Sequence, residues 1–158
     1  FISILLGVLV CNFPLGKIFI GDGGAYLLGF YVSAIVISVV ENDNAIYPIV
    51  IVQILIYPAY ETLRSVLRRL FSFESSVLKA DKKHLHSILY IFNQKTMKFN
   101  SLKVNFITSV QIISIQIMNM IYIIYFFKSE VMTFLGIITF ILLYEILYRI
   151  IDRNIKGI

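Results

Sequence analysis

Gly21-Asp22-Gly23-Gly24, continued to Val40 by AYLLGFYVSAIVISVV, is the stretch that decides the fold. From Gly24 to Val40 there is no charged residue. That length falls within the roughly 17–25 apolar residues a helix needs to cross a bilayer. The opening is different in kind. Gly21, Gly23 and Gly24 let the backbone turn tightly and bring its N–H groups close to a ligand. Asp22 sits where the helix would start, so its carboxylate either caps free N–H groups in the field of the helix dipole or holds a metal ion beside a phosphate.

The rest of the chain agrees with a membrane class. Its 158 residues are 59% hydrophobic, with a mean hydropathy of +0.87, far above the apolar share of a soluble domain. In hydrocarbon every backbone polar group must be satisfied internally, and no β-barrel alternation is visible. The reading is therefore all-α, a polytopic transmembrane helix bundle forming one membrane domain over residues 1–158. Cys11 is the sole cysteine, so no internal disulfide forms and the redox compartment is left open.

Working outward, Phe1 to Cys11 is apolar but short for a span, and it lacks the basic lead and cleavage site of a signal peptide. It reads as the tail of a truncated span, and the chain as the C-terminal half of something longer. Glu41-Asn-Asp-Asn44 forms a polar turn. Ala45 to Tyr60 returns across the membrane, with Pro58 breaking or kinking the helix near Tyr57. Glu61 to Leu70 places Arg64, Arg68 and Arg69 among leucines and valine, the pattern of an amphipathic helix leaving the bilayer. Phe71 to Lys103 is a polar loop, Asn105 to Phe127 a further span, and Val131 to Tyr148 the last. The total is four full spans plus the truncated one, with one proline-broken helix.

Charge sets an orientation. If Asp22 faces the cytoplasm, thirteen of the fourteen Lys and Arg residues share that side and only Lys128 lies opposite. The positive-inside rule then puts the glycine stretch, the 71–103 loop and the C-terminus in the cytoplasm. The net charge of +5 follows from topology, without a nucleic-acid partner.

This topology gathers Asp22, the arginine-bearing helix and Ala80-Asp-Lys-Lys-His-Leu-His86 on one membrane face. A carboxylate, several cations and a His pair there suit an anionic phosphate substrate with a divalent ion. Plainer readings stand beside this one. The arginines also serve as anchors to anionic headgroups, and a His-x-His pair alone is a weak metal signal. A proline-broken helix with an intramembrane acid also fits a transport pathway, and a basic loop fits a non-catalytic subunit docking lipid.

Taken together, Asn12-x-Pro-(x)4-Phe-Ile-Gly-Asp-Gly-Gly, Tyr57-Pro-Ala-Tyr-Glu-Thr-Leu-Arg64 with Arg68-Arg69, and the His84-x-His86 segment occur in order between spans. This arrangement resembles the polyprenyl-phosphate N-acetylhexosamine-1-phosphate transferase family, strongly from Phe1 to about Tyr90 and by topology alone beyond. The resemblance implies a multi-pass bacterial inner-membrane enzyme of cell-envelope polysaccharide assembly. It would join a UDP-N-acetylhexosamine to undecaprenyl phosphate and release UMP, requiring Mg²⁺, with Mn²⁺ as the alternative ion and a homodimer as the candidate assembly.

By motif, Asp22 matches the Mg²⁺ ligand, while Asn12, Phe19 and Gly21 border the uridine pocket, where Phe19 stacks on the base. His84 and His86 match the His motif that meets substrate phosphate, and Arg64 is carried over as a phosphate contact. Two departures matter. The His-x-His-His form ends here in Ser87, and the family's paired aspartates and Asp-Gly-x-Asp-Gly motif would precede Phe1. The polypeptide alone is therefore expected to bind part of the substrate without turnover.

Overall fold

The computed structural model describes residues 2–13, 21–42, 46–71 and 83–157. These form α1 (Ile2–Asn12), α2 (Gly21–Asn42), α3 (Ile49–Ile54), α4 (Ile56–Phe71), α5 (Leu85–Met97), α6 (Ser101–Phe126) and α7 (Glu130–Gly157), with no strand among the described residues. Helices α2, α6 and α7 are long and apolar enough to cross a membrane. Helix α2 buries none of its residues, and large side chains such as Phe30, Leu143 and Ile124 stand exposed. Hydrocarbon accepts such surface as readily as a protein core does. The fold is a helical membrane bundle.

The crossing expected over 45–60 is divided. Helix α3 ends at Leu55, whose backbone leaves the helical region (φ −94, ψ 8), and α4 restarts at Ile56. Pro58 cannot donate to the carbonyl of Ile54 one turn back, and its ring crowds that oxygen. The break therefore lies at Leu55, slightly earlier than Tyr57. Past it the ladder resumes, with Ala59 N–H donating to Leu55 O at 3.1 Å.

A side chain from another helix serves the interrupted turn. Asn119 of α6 donates through Nδ2 to the Gln53 carbonyl at 3.0 Å, and Gln53 Nε2 donates back to Asn119 Oδ1 at 3.5 Å. Both residues are buried. Opposite them on α7 sits Gly136, where an added Cβ would collide with the Gln53 amide and the Tyr122 ring. Close approach explains glycine here.

Segment 71–103, expected as a polar loop, contains a helix. Leu85, Ile88, Leu89 and Phe92 fall at the spacing of one helical face; Leu85, Ile88 and Leu89 bury against Tyr144, Tyr148 and Ile151 of α7, and Phe92 packs partly buried on the same cluster. On another face, Asn93 donates to Thr108 at 3.0 Å and Gln111 at 2.8 Å on α6. Helix α5 closes at Lys98 in the left-handed region (φ 49). The Asn100 side chain then caps α6 by accepting from Lys103 N–H at 3.0 Å.

Helices α6 and α7 form an antiparallel hairpin, tied near its turn by Tyr122 OH donating to Met132 O at 2.7 Å. At the far end, Lys95 of α5 donates to Ile155 O of α7 at 3.0 Å. The buried cluster forms between α5 and α7, with Tyr57 and Tyr60 of α4 and Ile112 and Ile115 of α6 packed against it.

Candidate active site at the junction of α4, α5 and α7

Glu61, three residues past Pro58, is the hub of this junction and is buried, at 8% exposure. Its Oε1 accepts from Leu85 N–H at 2.7 Å, Tyr144 OH at 2.8 Å and Tyr57 OH at 3.4 Å. The first of these fills a need of α5. His84 is the N-cap residue of α5 but makes no capping bond, so a carboxylate from α4 satisfies an amide that would otherwise be unpaired at that helix start.

The other oxygen, Oε2, faces the histidines. His84 Nδ1 lies 3.0 Å away and His86 Nδ1 3.9 Å. The two rings stack nearly parallel, 8° apart with centroids at 5.5 Å. Partial burial pushes the His86 imidazole pKa below its ordinary value; Glu61 pulls it back up and His84 pushes it further down.

A second acid holds Arg64. Its Nε donates to Glu145 Oε1 at 2.6 Å, and Tyr60 OH donates to the same oxygen at 3.0 Å. The guanidinium carbon lies 3.4 Å from the centre of the Tyr148 ring, and Tyr148 OH donates to the Lys83 carbonyl at 3.2 Å. Arg68 also donates to that carbonyl, at 3.3 Å. The backbone leading into His84 is thus fastened from both α4 and α7. Beside it, Arg64, Arg68, Arg149 and Glu145 line an open depression of about 480 Å³. Three guanidiniums around one carboxylate leave an excess of donors suited to phosphate oxygens.

Of the residues expected from sequence, His84, His86 and Arg64 come together here. Asp22 is exposed in the first turn of α2, and no hydrogen bond or ion pair joins it to this cluster among the described residues. Gly21, just before it, adopts φ +66. Asn12 ends α1, but its side chain lies outside the described residues, as does Phe19 with its expected stacking. Among the described residues no group of three or more His, Cys, Asp or Glu side chains is placed to hold a metal ion.

Sequence reasoning passed over Glu61 and Glu145 as well as Tyr144 and Tyr148. Glu145 carried a signal, since it interrupts the apolar run of α7 and an acid within a membrane-spanning helix marks a site.

Over 98 residues, 62% of its length, the chain is 32% identical to the undecaprenyl-phosphate alpha-N-acetylglucosaminyl 1-phosphate transferase of Thermotoga maritima, covering 31% of that protein. Over 92 residues, 58% of its length, it is 33% identical to a protein of Bacillus subtilis named "Probable undecaprenyl-phosphate N-acetylglucosaminyl 1-phosphate transferase", covering 25% of it. This chain is related to those transferases. It spans about a third or less of the length of these two relatives. No family model matches, and no solved structure matches. The family resemblance read from the sequence agrees with these two similarities.

Proposed function

We propose that this protein belongs to an enzyme that transfers a sugar-1-phosphate from a UDP-N-acetylhexosamine to undecaprenyl phosphate, releasing UMP, in cell-envelope polysaccharide synthesis. The similarity to two proteins named for a transfer of this kind carries the reading. In such a reaction an oxygen of the lipid phosphate forms a bond to the sugar-bearing phosphorus while the bond to the UMP oxygen breaks. One phosphoanhydride replaces another, so catalysis consists mainly of alignment and charge neutralisation.

The α4–α5–α7 cluster suits that demand. Arg64, held rigid by Glu145 and Tyr148, presents a fixed cation, and His84 and His86 present donors at the membrane boundary. Asp22, exposed at the start of α2, offers one carboxylate oxygen. That fits Mg²⁺ or Mn²⁺, since Mg²⁺ takes one or two carboxylates and completes its shell with water and substrate phosphates. The ion would supply charge neutralisation on the diphosphate. Asn12, Phe19 and Gly21 are assigned to the uridine side, and the whole site to the cytoplasmic face of the bacterial inner membrane.

The test is Asp22→Asn in the protein expressed from its complete reading frame. Divalent-ion-dependent release of UMP from UDP-N-acetylglucosamine in membranes should vanish, and retained release would refute the role given to Asp22.

A further inference from the structure

We infer that Glu61 is a positioning residue for His84: it holds the imidazole proton on Nδ1 and turns Nε2 outward as the nitrogen that meets the substrate phosphate. The assignment of substrate rests on the function proposed above; the geometry does not.

Oε1 is occupied by one backbone amide and two tyrosine hydroxyls, all donors. Oε2 lies 3.0 Å from His84 Nδ1 and 3.9 Å from His86 Nδ1. An ionised carboxylate can only accept, so the nitrogen against it must carry hydrogen, and the hydrogen bond made by one ring nitrogen determines the role of the other. Nε2 of His84 is then an acceptor in the neutral ring and a donor in the imidazolium, and in either state it is the nitrogen turned away from Glu61. No protein group bonds it among the described residues.

The same carboxylate also fixes where the ring stands. By capping α5 through Leu85 N–H it anchors the residue directly after His84, while Tyr148 and Arg68 hold the carbonyl directly before it. His84 therefore has both neighbouring peptide groups and its own Nδ1 held by side chains of α4 and α7. His86, stacked on it, leans its Nδ1 edge toward the same oxygen. Glu61 of α4 and His86 of α5 lie against the ring; Tyr57 of α4 and Tyr144 of α7 bond the same carboxylate, and Arg68 of α4 and Tyr148 of α7 bond the carbonyl before it.

The experiment is ¹⁵N NMR of the protein labelled at histidine in lipid nanodiscs, above the histidine titration range. His86→Asn identifies the His84 signals, since the chain has two histidines. The wild-type spectrum should show His84 with a protonated Nδ1 and an unprotonated Nε2. The Nε2–H form that free imidazole favours in water would overturn the inference without any Glu61 variant having to fold. Glu61→Leu should move His84 toward that Nε2–H form, and Glu61→Asp should keep it on Nδ1–H.

In the complete protein, Glu61→Gln should lower kcat by about 10- to 100-fold, the range seen when partners that orient histidine ligands are removed, with KM for the UDP-sugar within about threefold. Loss expressed wholly in KM would refute positioning. An Nδ1–H signal in a protein without UDP-sugar-dependent activity would leave the geometry standing and bring down the functional reading instead.

Discussion

Gly21 and Gly23 lie two residues apart, and the structure demands different things of them. Gly21 sits at φ +66 with open space where a Cβ would be, and Gly23 has open space with no such angle. The demand at Gly21 comes from backbone conformation, where an L-residue costs roughly 1–2 kcal/mol. At Gly23, inside the helix, alanine gains up to about 1 kcal/mol. Thermal unfolding in detergent should therefore show Gly21→Ala lowering the midpoint and Gly23→Ala leaving it unchanged or raised. Equal losses at both would contradict the backbone assignment.

His86 gives a second residue-scale test. Its pKa is lowered from 6.5 by burial, with Glu61 opposing and His84 assisting. The folded protein then binds fewer protons at that ring than the unfolded chain, so its contribution to stability is present above about pH 6.5 and is lost as the pH falls below that value. An NMR titration should place the His86 midpoint below 6.5, and Glu61→Gln should lower it further by removing the upward pull. A midpoint above 6.5 would mean that the carboxylate outweighs burial. The histidines and Arg64 were legible in the sequence because they stand in short motifs. Glu61 stands in the Tyr57–Arg64 motif as well, but its role was not legible, because its partners Leu85 and Tyr144 lie 24 and 83 residues away, and spacing along a chain carries no such distance.

At the scale of elements, hydropathy alone located α2, α6 and α7, since a continuous apolar run has few other readings. Helix α5 was hidden by the lysines around it, although Leu85, Ile88, Leu89 and Phe92 already had helical spacing. The proline break was legible from Pro58, but what lies beside it was not: backbone at an interrupted helix needs donors from elsewhere in hydrocarbon, and Asn119 on α6 donates to the Gln53 carbonyl at the end of α3. Asn119→Leu should thus cost about 0.5–2 kcal/mol, the range for interhelical hydrogen bonds in membranes. Gly136→Ala, which drives a methyl group into Gln53 and Tyr122, should cost about 1–3 kcal/mol as overpacking does. Since both act on Gln53, the double variant should lose less than the sum of the two. Additive losses in a denaturant titration would show that α3 does not couple the two helices.

For the whole molecule, the issue is which end of the bundle faces the cytoplasm. The α6–α7 hairpin puts Lys128 at its closed end, between Phe126 and Glu130, while Arg149, Arg153 and Lys156 lie at the open end with Lys95 and α5. Helix α7 has 28 residues, about 42 Å at 1.5 Å per residue, so it outruns a hydrocarbon core of about 30 Å and its basic last turns reach water. The orientation proposed on the positive-inside rule puts that end, together with the Glu61 cluster, on the cytoplasmic side, as the proposed use of a nucleotide sugar requires. Cys11 is the sole cysteine, so Cys11→Ser provides a silent background for Lys128→Cys and Lys156→Cys. In intact spheroplasts a membrane-impermeant maleimide should label Lys128→Cys at once and Lys156→Cys only after lysis. The reverse pattern would place the histidines and Arg64 on the outer face, away from any UDP-sugar, and the transferase reading would fall with the orientation.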